Sequence, residues 1–444
     1  MIGQSSLYSE SESRSFLVPE RWAAEQNDLG VDCFEKTQGN RAENIEQAID
    51  AFQKALQVYT RDAFPEKWAM TQNNLGTAYG DRIRGERAEN IEQAIDAFQR
   101  ALQVRTRNAF PEKWAMTQNN LGNAYRFSIR GERSDNIEQA ISAYQKALQI
   151  YTRGAFPEDW AITQNNLGSA YSVRIRGERA DNIEQAISAY QKALQVLTRH
   201  AFPEDWAMTQ GNLAIVLSQR ASLPQNSEDL EQSIALLQLA LEVATLGSPY
   251  FINHQYVLGN VLSRRYEYSQ NPSDLRQALH AYKVALNAIS PEHFDRGQIW
   301  QAIPETQSIL GQRLVHDGQW QQGLQLLLNS INQLRTSDNR LAHANALYQV
   351  GYAHETLSDW HSARLYYRDA LRLYQDLDDP YGIAKSRVGL GSVLASQGHL
   401  EKGMAELLAA HNSYEALGQP DKAATVDQIY QAAKLAKEQQ GVYA

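Results

Sequence analysis

Scarcity sorts this chain before any motif does. One cysteine, Cys33, among 444 residues excludes an internal disulfide framework and any zinc cluster built on several thiolates. No run approaches the roughly 18 apolar residues that a membrane-spanning helix needs, and mean hydropathy is −0.52. An excess of basic charge is missing too. The net charge of −9 and the pI of about 5.7 argue against nucleic acid as the partner. There is no Gly-x-x-x-x-Gly-Lys-Ser/Thr phosphate loop, no Gly-x-Ser-x-Gly elbow and no His-Glu-x-x-His. Gly389 and Gly391 begin a Gly-x-Gly, but Leu394 stands where a third glycine would be. None of the 10 histidines pairs at a metal-ligand spacing, since a turn separates His354 from His361. The acidic run Asp376, Asp378 and Asp379 before Pro380 reads as a solvated turn. Cys33 lacks a histidine beside it and reads as a small apolar filler. The expectation is a chain that is not an enzyme, with no catalytic residue, metal or cofactor.

What is present is periodic. Five of the 12 prolines (Pro19, Pro65, Pro111, Pro157, Pro203) stand 46 residues apart, and Trp22, Trp68, Trp114, Trp160 and Trp206 keep the same step. Within residues 65–110, Trp68, Leu75, Tyr79 and Ile83 recur on one helical face. Pro65 suits a first helical position and Glu66 the positive end of the helix dipole. Ile91, Ala94, Ile95, Phe98, Ala101 and Leu102 form a second stripe, with Asn90 and Gln93 as a capping box and Gly85 as a stop to the first helix. Each unit is therefore a helical hairpin, with Gly76 and Ala94 at a close crossing. One hairpin cannot bury both stripes, so neighbours must stack into a solenoid.

Leu-Gly-x-x-Tyr followed by Ala-x-x-x-Phe-x-x-Ala resembles the tetratricopeptide repeat. Its glycine, or an alanine, is followed at Gly30, Gly76, Gly122, Gly168, Ala214, Gly259, Gly311, Gly351 and Gly391. The second-helix alanine is Ala48, Ala94, Ala140, Ala186, Ala278 and Ala363, with Ser233, Gly323 and Gly403 elsewhere. The resemblance implies an all-α, right-handed superhelical α-solenoid of about nine hairpins with a C-terminal capping helix. The expected layout is a disordered serine-rich tail over 1–17, a 46-residue-repeat array over 18–245, and a divergent repeat with an irregular joint over 246–305. A 40-residue-repeat array follows over 306–420, then a capping helix and tail over 421–444. Its short turns are Gly318-Gln319-Trp320, Ser358-Asp359-Trp360 and Gly398-His399-Leu400. Pro304 is expected to break or begin a helix at the joint, with one long kinked helix as the alternative.

Two recurring sets are candidates for binding. The first is Gln-Asn-Asn-Leu-Gly in the first helix, giving Asn73, Asn74, Asn119, Asn120, Asn165 and Asn166, with Asn212, Asn27 and Asn123 beside them. This Asn-Asn-Leu pattern is similar to that of kinesin light chains, and the resemblance implies a concave groove whose asparagines hold a peptide backbone. An amide carries donor and acceptor together, which suits a main chain of any sequence; the alternative is that these amides bond across to the next repeat. The second set is an electrostatic edge of Arg82, Arg126 and Arg174, whose acidic neighbours Glu86, Glu132 and Glu178 favour ion pairs over a ligand.

The expected function is a cytoplasmic, non-catalytic scaffold that binds a protein or extended peptide. A ligand-responsive regulator whose two arms close is the alternative. The Phe-Pro-Glu-x-Trp and Arg-Gly-Glu-Arg-Ala repeats also resemble cyanobacterial and other bacterial arrays that often precede a caspase-like CHAT peptidase domain. A stand-alone partner of such systems is the reading that resemblance implies.

Overall fold

The computed structural model describes residues 6–221, 227–290, 296–337 and 339–442, with 6–18, 249 and 440–442 described by backbone alone. Its described residues are all helix, turn and loop, and they divide into two compact units, Met1–Val243 and Ala244–Ala444.

Unit 1 holds α1 (Ser6–Glu35), α2 (Arg41–Ala55), α3 (Pro65–Gly80), α4 (Arg87–Leu102), α5 (Pro111–Phe127), α6 (Arg133–Ala147), α7 (Pro157–Ser172), α8 (Arg179–Ala193), α9 (Pro203–Arg220) and α10 (Ser227–Leu241). Odd and even helices pair as antiparallel hairpins, and each hairpin packs on the next. Successive first helices, α1 to α9, also approach one another directly, whereas successive second helices make no comparable approach. The first helices therefore form the closer-packed inner row.

The signature glycine has a concrete task. A Cβ on Gly76 would fall 2.7 Å from the ring of Phe98, and Gly122 and Gly168 meet Tyr144 and Tyr190 in the same way. The aromatic ring of the second helix thus packs against the first helix where it has no side chain. Ala48, Ala94, Ala140 and Ala186 are fully buried at the same crossings. The tryptophans close the seam between hairpins: Trp114 and Trp160 pack around Ala115, Ala147 and Tyr151.

Some local expectations change. α4 starts at Arg87, three residues before Asn90, and its N-cap Glu86 makes no side-chain capping bond. Asn90 instead turns inward, and its Nδ2 donates to the carbonyl of Arg84 at 2.8 Å and more weakly to that of Arg82. Asn136 and Asn182 hold the next two loops alike. Gly85, with φ of +78°, sits inside that loop, after α3 has ended at Gly80. Ile83 leaves the apolar face, because the loop carries it outward to 62 % exposure. At the other end, α1 is helical from Ser6 across most of the stretch read as a tail, while residues 1–5 lie outside the described residues. No glycine or proline stands between Gln4 and Val18 to stop a helix.

Unit 2 holds α11 (Pro249–Ser269), α12 (Pro272–Ala288), α13 (Arg296–His316), α14 (Trp320–Leu334), α15 (Arg340–Thr356), α16 (Trp360–Asp376), α17 (Pro380–Ser396), α18 (Leu400–Ala416) and α19 (Pro420–Val442). α19 packs on α18 and covers Leu407, Ala410 and Tyr414 with Ala423 and Val426. The turns expected at Gly318 and Gly398 have left-handed φ of 81° and 82°, and the Gln319 N–H closes the first by donating to the Leu314 carbonyl at 2.8 Å. Pro304 neither breaks nor begins a helix. It is buried inside α13, where the ring leaves the Trp300 carbonyl without its usual intrahelical donor. Residues 291–295 of the expected joint lie outside the described residues.

Candidate functional site

The asparagine pairs divide by their partners. Asn73 is buried, and its Oδ1 accepts from the Thr117 hydroxyl of the next first helix at 3.0 Å. Asn27 accepts from Thr71 in the same way. Further along the row, Asn166 donates to Asn119 at 3.1 Å and Asn212 donates to Asn165 at 3.2 Å. All four bonds join successive first helices and pin the register of the inner row. Asn123 is occupied differently, accepting from the Tyr144 hydroxyl at 2.7 Å. Asn74 and Asn120 are half-buried on the same helices and make no side-chain hydrogen bond among the described residues.

The arginine loops divide too. Arg82 forks onto Glu46 of the preceding hairpin, with Nε and Nη2 both at 2.8 Å from the two carboxylate oxygens. Arg174 repeats this on Glu138 at 2.7 and 2.9 Å. Arg126 is not their equivalent. The 46-residue register places Ser128 there, and its hydroxyl reaches Glu92 at 3.2 Å. Arg126 lies instead in the last turn of α5, with its guanidinium 4.1 Å from the Phe127 ring centroid.

These forks make stability pH-dependent. The Arg82 guanidinium holds the Glu46 carboxyl below its usual 4.5, and Arg174 does the same to Glu138, against a smaller opposing effect of burial. A carboxylate depressed in the fold stabilises above its unfolded pKa, and that contribution is lost as pH falls through the folded value. The double variant Arg82→Gln, Arg174→Gln is therefore expected to lose stability at neutral pH. It is also expected to show a flatter decline below about pH 4.5 in urea melts. Parallel acid limbs for both proteins would count against this.

The sequence matches the tetratricopeptide repeat family over residues 68–107 and again over 303–376. The chain carries tetratricopeptide repeats. No curated protein matches it. Among solved structures, apo RapI is similar at 13% identity, covering 84% of this chain and 98% of that one with a TM-score of 0.45. The apo quorum sensor NprR from B. thuringiensis is 14% identical and covers 82% and 92%, with a TM-score of 0.44. A signal-transduction ATPase with a tetratricopeptide repeat sensor, from Pyrococcus horikoshii, is 11% identical and covers 97% and 68%, with a TM-score of 0.46.

Two features of this repeat protein escaped sequence reasoning. Arg105 takes the position that Tyr59, Tyr151 and Leu197 hold in other hairpins, and it is 2 % exposed. Its Nη1 donates to Thr117 at 3.0 Å, its Nε has no acceptor among the described residues, and burial pushes its pKa down to about 10. The 46-residue register carried that signal, as a charged residue standing in an aromatic column. The second is a set of clefts between second helices, which no periodicity announces. One of about 400 Å³ lies over α3, and another of about 510 Å³ lies over α15 in unit 2.

The other sequence candidates have structural partners. Asp379 caps α17 by accepting from the Tyr381 and Gly382 N–H groups, and Asp376 pairs with Arg340 at 3.1 Å. His354 lies 3.0 Å from Asp359 and stacks on Tyr366. Cys33 is half-buried, 3.8 Å from the Gln47 Oε1.

Proposed function

We propose that this repeat protein is a non-catalytic scaffold that binds an extended peptide or protein segment along the inner row of unit 1. The observation that carries the reading is the division among the asparagines. Asn74 and Asn120 keep their amide donors and acceptor free of side-chain hydrogen bonds among the described residues. Asn73, Asn119, Asn165, Asn166 and Asn212 meanwhile fix the helices that present them. Amides one hairpin apart on a rigid row suit the alternating N–H and C=O groups of an extended main chain. Rigid presentation lowers the ordering cost of binding.

The test compares the wild-type chain with Asn74→Ala, Asn120→Ala as bait in host lysate, after matched helicity and melting are established. Neither side chain makes a hydrogen bond among the described residues, so stability is expected to change by less than about 0.5 kcal/mol. A protein retained by the wild type and lost from the double variant supports the inner row as the binding surface. Equal retention sinks it. Asn119→Ala, Asn165→Ala, by contrast, is expected to melt earlier, because it removes two bonds between helices.

A further inference from the structure

The second helices of unit 1 stand apart, and the first helix between them floors a cleft. In the cleft over α3, the walls are the rings of Trp68 and Tyr79, the amides of Gln72 and Gln93, and the Asp96 carboxylate, with Arg100 beside it. Tyr79 is anchored, its hydroxyl accepting from Gln53 Nε2 at 2.8 Å. Gln72 is only 4 % exposed, and neither its Oε1 nor that of Gln93 has a donor among the described residues. The same unpaired amide oxygen recurs at Gln118, Gln164 and Gln210, the next three positions in the register. Buried acceptors are nearly always satisfied, so two in one cleft point to a donor-rich partner. The adjacent carboxylate and two aromatic rings make that partner cationic and flat.

We propose that this outer cleft takes the guanidinium of an arginine side chain presented by a partner polypeptide. A guanidinium is planar, always charged at neutral pH, and carries five N–H donors in a fixed fork. Two glutamine carbonyls and a carboxylate oxygen accept from it while its plane lies on a ring. The terminal torsion of glutamine is broad and roughly two-fold, and binding calls on a rotation there to present each Oε1 to the guanidinium. Arg100 takes Oδ2 of Asp96 at 2.7 Å and leaves Oδ1 for the incoming donor. An ammonium has no planar fork and matches this acceptor set less well. The register also limits the number of sites. Ser142 and Ser188 replace Asp96 in the following two hairpins, and in the preceding one, which keeps Asp50, Cys33 stands in place of Tyr79, so the full set occurs once among the 46-residue hairpins of unit 1. The cleft belongs to the outer row, and the inference stands independently of the inner-row reading.

The test is calorimetric titration of the full chain with acetyl-Gly-Arg-Gly-amide, alongside the same peptide carrying citrulline or lysine. Saturable 1:1 binding of the arginine peptide is expected, with no detectable binding of its uncharged citrulline analogue and at least several-fold weaker binding of the lysine peptide. Asp96→Asn is expected to weaken binding about tenfold. Gln72→Leu is expected to weaken it further; should that variant unfold, the exposed Asp96 decides alone. The proposal is overturned by equal affinity for arginine and citrulline, by equal affinity for arginine and lysine, by an unchanged Asp96→Asn, or by no saturable binding to the wild type.

Discussion

A valine at position 323 is expected to destabilise unit 2 by about 3 kcal/mol, near the upper end for overpacking a well-packed crossing. α13 and α14 cross at Gly311 and Gly323 backbone against backbone, with the Val315 and Leu327 side chains beside the contact. A Cβ on Gly323 would sit 2.7 Å from the Gly311 carbonyl oxygen and 2.8 Å from the Val315 nitrogen, so the helices themselves must move apart. Gly403 faces Gly391 in the same way. The crossings of unit 1 are more forgiving. There the added Cβ meets a side-chain ring, such as Phe98 at Gly76, and not the backbone of the partner helix. Gly80→Ala is the control, since nothing lies within 4 Å of its Cβ, and a helix-favouring residue there is expected to be neutral or slightly stabilising. With two compact units, one melting temperature is not a sufficient readout. Hydrogen exchange in α13 and α14 locates the loss. Wild-type protection in Gly323→Val would mean that the two helices do not cross at this point.

Arg105→Tyr is expected to stabilise unit 1 by about 2 kcal/mol at neutral pH, the order seen when a buried charge is exchanged for a well-packed neutral side chain. Arg105 is buried with a single side-chain acceptor among the described residues, and burial lowers its pKa to about 10. A cation whose pKa is depressed in the fold costs stability wherever it is charged. That cost is present at pH 7 and is relieved only as pH rises through about 10. Tyrosine already fills the same site at Tyr59 and Tyr151, where burial is nearly complete and Phe64 and Phe156 pack edge-on or tilted at 5.6 Å. The gain is read as a shift in the urea midpoint, and it should shrink only as pH rises above about 10. A destabilised variant would mean that the guanidinium is paired in solution by a group absent from its surroundings here.

Hairpins, crossings and register were readable along the chain because they are local and repeated. Proline at the first helical position, glycine opposite an aromatic ring and a buried alanine beside it recur every 46 residues, and each acts within one hairpin. Polar side chains were harder to read. Asn90 stood at a plausible cap, yet its partners are carbonyls six and eight residues back, reached only after the loop has folded. Arg126 drew attention as one of several arginines, while Ser128 holds the equivalent place.

The sequence by itself determined that the chain folds as helical hairpins, whose signature resembles the tetratricopeptide repeat, since period, punctuation and small-residue positions all sit within one hairpin's span. Only the tertiary structure decided which asparagines are spent on neighbours and which are not, because their partners lie 44 to 47 residues away. It likewise decided that Arg105 is buried and that Gln72 keeps an unpaired oxygen beside a cleft. The physical reason is common to all three. Near-identical repeats place the same residue at the same local position, but whether a polar group meets water, a neighbour or nothing depends on the helices stacked against it.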